Sequence, residues 1–282
     1  MIAEKYLFRH ALRPFSFSVA LIVCLTGILS AYREGFGDPL LASLILMAGL
    51  LLQAGVNLIN DYADLSQPNL QLSSASQQQI RFNFNLGLGC ILFAAVIACY
   101  LIAVSGMLLL LFSVIGIIGA LGYTMEPINY KRRGLAVFLV FWLMGVLMVS
   151  GAYYVLAKEL SHSALLISIP VSLFVSLLLL SNELRDFEED KAAGIKTLTV
   201  KIGYARASQL YKALLICIYL GCLALSINGS IPFALVILLS IPFVIKPLKL
   251  LALDKGSRQP ITKATGRSFL IFGICYCSAL LF

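Results

Sequence analysis

The sequence predicts an all-α integral membrane protein, and three features carry that reading. Of 282 residues, 60% are hydrophobic and only 12% are charged, with a mean hydropathy of +0.96. An ordinary soluble domain carries roughly 25% charged residues, and a single soluble domain of this size could not bury so much apolar surface. Apolar runs long enough to cross a bilayer, about 20 residues for a helix, recur along the whole chain. They are too continuously apolar for barrel strands, and open sheet edges do not survive in lipid.

Nine runs are read as spans: residues 15–32, 39–60, 84–104, 106–124, 135–157, 163–182, 210–227, 231–247 and 268–282. The first follows a basic, mildly amphipathic segment, residues 1–14. That segment is not read as a cleavable signal, because the run after it lacks a small-residue cleavage site and is long enough to stay as a span. The polar stretch Ser66–Gln79 separates the second span from the third. The breaks near Ser105 and Gly229 leave very short loops. The basic triplet Lys131-Arg132-Arg133 follows the fourth span, Lys158 follows the fifth, and an acidic cluster follows the sixth.

Lys and Arg set the direction. Nine spans divide the connections into two sets. The set holding the N-terminus and the loops near 61–83, 125–134, 183–209 and 248–267 carries nineteen of them; the other set has only Arg33 and Lys158. An even number of spans would spoil this separation. The expectation is a cytoplasmic N-terminus and an outside C-terminus. The net charge of +8 is too thinly scattered for a nucleic-acid-binding face. The seven cysteines all fall in spans and show no CxxC pattern, which reads as buried free thiols. His10 and His162 lie on opposite sides and cannot share a ligand set.

Acid is scarce, and seven of the thirteen Asp and Glu sit in two stretches. The first is Asn57-Leu-Ile-Asn60-Asp61-Tyr62-Ala63-Asp64, at the end of the second span. On a helix Asn57, Asp61 and Asp64 fall at i, i+4 and i+7 and share one face. The second is Asn182-Glu183-Leu184-Arg185-Asp186-Phe187-Glu188-Glu189-Asp190, at the end of the sixth span, with Asn182, Asp186 and Asp190 at i, i+4 and i+8. The pattern of Asn, then carboxylate, then carboxylate, repeats on the same side of the membrane. It suits Mg²⁺, which takes oxygen ligands, typically one or two carboxylates plus waters and substrate phosphates. The bland alternative is solvated helix-end acids paired with Lys191 or Arg185.

Between the clusters lies Gly122-Tyr123-Thr124-Met125-Glu126-Pro127-Ile128-Asn129-Tyr130-Lys131-Arg132-Arg133-Gly134. Its cations record topology or meet diphosphate oxygens. Tyr123 is an interfacial aromatic, or an aromatic face near a developing cation.

These residues resemble the UbiA superfamily of intramembrane aromatic prenyltransferases, over most of the chain. Arg13-Pro14 resembles the family's opening Arg-Pro. Asn57 to Asp64 and Asn182 to Asp190 resemble its two Asp-rich motifs, and Tyr123-Thr124 with Pro127 and Tyr130-Lys131 resembles its Tyr-Ser/Thr…Lys segment. The most specific piece is Lys191-Ala-Ala-Gly194-Ile-Lys196-Thr197-Leu198-Thr-Val200-Lys201-Ile-Gly203. It is similar to the run in the MenA branch, which prenylates 1,4-dihydroxy-2-naphthoate. Asn60-Asp61-Tyr62-x-Asp64 and Gly151-Ala-Tyr153-Tyr154 also look like that branch. Two features depart from it. Pro68 stands where many relatives have a further carboxylate. The loop after the first motif is shortened, with Arg81 as its nearest cation.

The resemblance implies a nine-transmembrane-helix bundle around a central cavity, with residues 1–282 as a single prenyltransferase domain. It implies Mg²⁺ held by Asp61, Asp64, Asp186 and Asp190, with Asn57 and Asn182 orienting carboxylates or metal-bound water. Tyr123 joins the four Asp as a catalytic candidate. Lys131, Arg185, Lys191 and Arg81 are candidate diphosphate contacts; Arg185 is alternatively an ion-pair partner for Glu189 at i+4. The implied partners are a polyprenyl diphosphate, an aromatic acceptor and the lipid bilayer. The implied location is the inner (cell) membrane, with the active site facing the cytoplasm. Transfer to 4-hydroxybenzoate or haem, a non-catalytic prenyl-lipid-binding relative, and a transporter using intramembrane acids stand as alternatives.

Overall fold

The structure is a computed structural model that describes residues 3–66, 72–123 and 127–281. Among these, every regular element is helical: α1 (Phe8–Ala11), α2 (Phe17–Arg33), α3 (Pro39–Asn60), α4 (Ser74–Ser105), α5 (Met107–Gly122), α6 (Ala136–Val140), α7 (Leu147–Ala157), α8 (His162–Arg185), α9 (Phe187–Ala192), α10 (Leu198–Ile202), α11 (Tyr204–Ile227), α12 (Ile241–Leu250), α13 (Lys255–Arg258) and α14 (Ile261–Leu281). Seven stretches are long and apolar enough to cross a membrane: Phe8–Arg33, Pro39–Asn60, Ser74–Ser105, Ala136–Ala157, His162–Arg185, Tyr204–Ile227 and Lys255–Leu281. Their outward faces are apolar, for example Leu92, Phe93 and Val96 on α4 and Ile216, Leu220 and Leu223 on α11. A soluble protein does not expose such a surface, and a multi-pass membrane protein must.

The other two predicted runs hold shorter helices. Run 106–124 contains α5, of 16 residues. Run 231–247 contains a 3-10 segment, Ala234–Ser240, leading into α12. Pro232 and Pro242 flank the interruption, each lacking an N–H for a helical bond, whereas Pro247 lies within α12, which continues across it. The run predicted to begin at residue 84 begins at Ser74, because Ser73 accepts from the Ser76 N–H at 3.2 Å and starts the helix in polar sequence. Likewise Asp38 accepts from the N–H groups of Leu40 and Leu41, with Pro39 at the first helical position of α3.

Helix α2 joins two cores. One gathers residues of α2, α8, α11 and α14, with Phe174, Phe269, Phe272 and Tyr276 fully buried. The other gathers α2, α3, α4 and α7 around Ile28, Leu101 and Tyr153. Small residues permit close crossings, as membrane bundles require. A Cβ on Gly27 would stand 2.3 Å from the Val149 carbonyl oxygen. Gly55 and Gly87 face each other: a Cβ on either would come within 2.9 or 3.0 Å of the other's carbonyl oxygen. That pair locks the end of α3, where the first acidic motif begins, against α4. Inside the spans the hydroxyls of Thr26, Ser30 and Ser172 donate to carbonyls four residues back, which satisfies these hydroxyls without water. Between α6 and α7 the helix widens to a π-helical turn, Phe141–Val146.

The seven cysteines are free, as read, but only Cys24, Cys222, Cys275 and Cys277 are buried. Cys99 and Cys217 are exposed, since they fall on the outward faces of α4 and α11.

Candidate active site

Helix α3 ends at Asn60 and the chain tightens into a 3-10 turn, Asp61–Ser66. The turn tucks Asp61 beneath the N-terminal segment, residues 3–16, leaving it 4% exposed. Asp61 accepts from Arg13 Nη2 at 3.0 Å. With its amide oxygen turned toward Arg13, Asn60 accepts from both terminal guanidinium nitrogens at 2.7 and 2.8 Å. Asp64 accepts from Lys5 Nζ at 2.6 Å and from the Tyr6 hydroxyl at 3.0 Å. Asn57 anchors that same segment: its Nδ2 donates to the Leu12 carbonyl at 2.9 Å and to Ser16 Oγ at 2.7 Å, and its Oδ1 accepts from Gln53. Arg13 sits in the left-handed region, at φ +49°, a conformation uncommon for a non-glycine residue and characteristic of sites where a side chain must be placed. Burial raises the Asp61 carboxyl above its ordinary range, against the pull of Arg13 and Lys5.

The second motif sits at the end of α8. Arg185 grips Asp186 in a two-pronged pair, Nε to Oδ1 and Nη2 to Oδ2, both 2.7 Å. Arg185 is therefore the partner of its neighbour, not of Glu189; Glu189 pairs with Lys255 at 3.3 Å and Glu188 with Arg258. The Asp190 carboxyl is raised by burial, opposed by the charge of Lys131. Glu183, buried on the last turn of α8, accepts from the Thr199 N–H at 2.9 Å. It thereby ties α8 to the start of α10.

Tyr123 closes α5. The Tyr130 N–H donates to the Gly122 carbonyl at 3.0 Å and the Lys131 N–H to the Tyr123 carbonyl at 3.1 Å, folding the loop back on the helix. Lys201 Nζ donates to the Arg133 carbonyl at 2.6 Å and fastens the same loop to α10. Lys131 Nζ then lies 6.0 Å from the Tyr123 ring centroid, and the Tyr130 ring packs edge-on at 5.4 Å. Burial pushes the Tyr123 phenol well up; Glu183 and Asp190 push the same way and Arg13 opposes. Tyr123 thus lies within electrostatic reach of Glu183 and Asp190 of the second motif and of Arg13, which bonds Asp61 of the first.

The remaining candidates divide. Asn182 is half-buried, and its carbonyl accepts from the Asp186 N–H at 3.0 Å. Lys191 is exposed. Arg81 is exposed on α4 and, among the described residues, bonded to neither motif. Pro68 and Thr124 to Glu126 lie outside the described residues. A groove of about 480 Å³ between α5, α7 and α8 is lined by Phe112, Trp142, Ser161 and His162, at the opposite end of α8 from Asp186.

Residues 20–272 match the UbiA prenyltransferase family. The chain belongs to that family. It is 31% identical to mouse (Mus musculus) UbiA prenyltransferase domain-containing protein 1, over 94% of this chain and 81% of that one. It is 28% identical to the 1,4-dihydroxy-2-naphthoate octaprenyltransferase of Escherichia coli (strain K12), over 98% and 95%. Its fold is that of solved UbiA homologues. One from Aeropyrum pernix K1, in the apo state, aligns at a TM-score of 0.66 with 18% identity, over 96% of this chain and 98% of that one. One from Archaeoglobus fulgidus, bound to DMAPP and Mg²⁺, aligns at 0.56 with 18% identity, over 98% and 99%.

The donor set of this UbiA prenyltransferase fits Mg²⁺. All four motif Asp offer hard oxygens, and three already meet a cationic side chain, so positive charge stands where a metal's would. Burial disfavours the bare charge on Asp61 and Asp190, which a cation relieves. Among the described residues no three His, Cys, Asp or Glu side chains gather into a ready ligand cluster. Each motif could therefore offer a carboxylate or two, with the other ligand positions open to water and phosphate, which is the habit of Mg²⁺.

Sequence reasoning missed Lys5, Tyr6 and Arg258. The first two lie 59 and 58 residues from Asp64 and the third 70 from Glu188, so no helical spacing could announce them.

Proposed function

We propose that this UbiA prenyltransferase transfers a polyprenyl group from an allylic diphosphate to 1,4-dihydroxy-2-naphthoate, with Mg²⁺, as a step in menaquinone biosynthesis. The reaction takes place at the cytoplasmic end of a nine-span bundle in the cell membrane, with the N-terminus cytoplasmic. One observation carries this reading: the repeated Asn-x3-Asp pattern, at the ends of α3 and α8, with Tyr123 between the two in the sequence. The one-sided distribution of Lys and Arg supports the orientation, and the Escherichia coli relative supports the acceptor.

Asp61, Asp64, Asp186 and Asp190 hold Mg²⁺, with Asn57 and Asn182 supporting them. When bound, Mg²⁺ neutralises the diphosphate and eases its departure. Lys131 adds a cation for the diphosphate oxygens, with Arg185, Lys191 and Arg81 as further contacts. The allylic carbon–oxygen bond breaks and its electron pair leaves with the diphosphate. The acceptor's ring supplies a π pair for the new carbon–carbon bond, and the attacked carbon then sheds the group it carried, a proton to solvent or a carboxylate as CO2, whose bonding pair returns to the ring. Tyr123 turns a π face toward the developing allylic charge. The N-terminal segment and the segments after α5 and α8 shield that charge from water. The apolar bundle accommodates the isoprenoid chain.

The test is product mass. Purified protein in lipid is incubated with Mg²⁺, a polyprenyl diphosphate and a panel of aromatic acceptors, with and without EDTA. The expected result is an EDTA-sensitive prenylated naphthoate. Product only from 4-hydroxybenzoate overturns the acceptor. Labelled diphosphate that binds without product from any acceptor overturns the transfer.

A further inference from the structure

Helix α9 carries the second motif from Asp186 to Asp190, yet it has little of its own to hold it in place. It is six residues long, none of them buried, and its N-cap makes no side-chain hydrogen bond. A helix this short is not stable in isolation. Asp186 caps α9 and its carbonyl accepts from the Asp190 N–H at 2.8 Å, so the distance from Asp186 to Asp190 depends on α9 staying folded against the bundle.

The docking partner is the segment 251–258, between α12 and α14. Arg258 donates through Nη2 to Glu188, and Lys255 Nζ lies 3.3 Å from Glu189. The Arg258 guanidinium stacks 4.4 Å from the Tyr204 ring centroid, and that ring packs 5.7 Å from Phe187 of α9. The Tyr204 hydroxyl donates to the Leu251 carbonyl at 2.9 Å, closing the assembly. The Arg258 side chain is only 5% exposed, and its Nε has no hydrogen-bond partner. Glu188 and the Tyr204 ring are thus what compensates a buried charge.

We propose that Arg258, helped by Lys255, is a positioning residue for Mg²⁺: it clamps α9 so that Asp186 and Asp190 keep a fixed separation. The proposal rests on the Mg²⁺-dependent reading above. It also sorts the five carboxylates of the motif. The clamp engages Glu188 and Glu189 and the Thr199 N–H engages Glu183; Asp186 and Asp190 stand outside the clamp and are the pair assigned to the metal, which would displace Arg185 from Asp186. An Arg suits the clamp because its planar fork can bond a carboxylate and stack on a ring together, which an ammonium cannot.

The probe is Mn²⁺ with inorganic pyrophosphate, titrated into the purified full chain and read by electron paramagnetic resonance beside the thermal midpoint. Arg258→Ala is expected to weaken Mn²⁺ binding about tenfold, the low end for loss of outer-shell support. The Mg²⁺ half-saturation of turnover rises in parallel, and kcat at saturating Mg²⁺ changes little. Arg258→Lys falls between. Glu188→Gln keeps the packing and tests the clamp should Arg258→Ala fail to fold; it shifts the titration in the same direction. Wild-type affinity in folded Arg258→Ala, or in Glu188→Gln where Arg258→Ala does not fold, overturns the clamp alone. A wild type that binds no Mn²⁺ overturns the Mg²⁺-dependent reading, and the clamp with it.

Discussion

Asp61→Asn should separate chemistry from folding. The Asp61 carboxylate is almost fully buried, while its partner Arg13 is about one-third exposed. A hydrogen bond to a charged group contributes about 1.5–3 kcal/mol. Here Arg13 keeps the Asn60 oxygen, the amide oxygen introduced by the substitution can still accept, and solvent screens the pair, so the loss is about 1 kcal/mol. Against it, the folded protein holds this carboxylate in a place that burial makes unfavourable. The two effects nearly cancel, and the thermal midpoint is expected to move by no more than about 2–4 °C. The sign with pH follows. Because the folded-state pKa of Asp61 is raised, its contribution to stability is fully present below the ordinary carboxylate range and is lost as pH rises through the folded value. In metal-free buffer the midpoint difference should therefore move in favour of Asp61→Asn between acid and neutral pH. Turnover should fall about 100-fold or more, the scale for losing one preorganised electrostatic group. Product mass and thermal midpoint are measured on the same preparation. Near-wild-type turnover at saturating Mg²⁺ would refute the assignment of Asp61. A loss that tracks unfolding would refute the separation.

Three further substitutions probe other parts of the molecule. Lys131→Ala should raise the KM for the prenyl diphosphate about tenfold, worth roughly 1.4 kcal/mol, with the acceptor KM unchanged; equal shifts in both would remove Lys131 from the diphosphate. Glu183→Ala strands the buried Thr199 N–H and should cost about 1–3 kcal/mol of stability, read as a lowered thermal midpoint. Gly27→Val drives a side chain into the Val149 carbonyl between α2 and α7 and should cost about 1–3 kcal/mol or more; an unchanged midpoint would mean that the crossing is looser than the 2.3 Å approach indicates.

Helices were legible wherever hydrophobicity alone decides them. The runs at 39–60 and 135–157 became helices within a residue of their expected ends. Run 231–247 was legible as apolar, but Pro232 and Pro242 leave gaps in its hydrogen-bond ladder, which an apolar count does not register. Both acidic motifs were legible through their spacing, because a helix turns an interval of four residues into adjacency. The interval did not reveal the occupants of those carboxylates. Arg13 reaches Asp61 across 48 residues and Arg258 reaches Glu188 across 70, contacts made by packing and invisible to any local period. The same limit misdirected Arg185: spacing offered Glu189 at i+4, whereas the break after α8 lets the side chain reach its own neighbour, Asp186.

These contacts change what the one-sided distribution of cations means. Lys and Arg gathered on one side of a bundle are sufficiently explained by topology. Yet Lys5, Arg13, Arg185, Lys255 and Arg258 each bond a carboxylate of one of the two motifs. Carboxylates crowded at the ends of α3 and α8 repel one another unless cations meet them, and the bundle meets them from three places: the N-terminal segment, the end of α8 itself and α13. The exposed Lys5 on Asp64 can yield to a competing cation at little cost, since a screened surface pair is weak. The buried Arg258 on Glu188 cannot, because removing its partner leaves a desolvated charge. Burial therefore divides the acids more sharply than spacing does. Asp64, paired with an exposed cation, is free to exchange it, whereas Glu188, paired with a buried one, holds the scaffold, and the exposed Lys255–Glu189 pair only assists it.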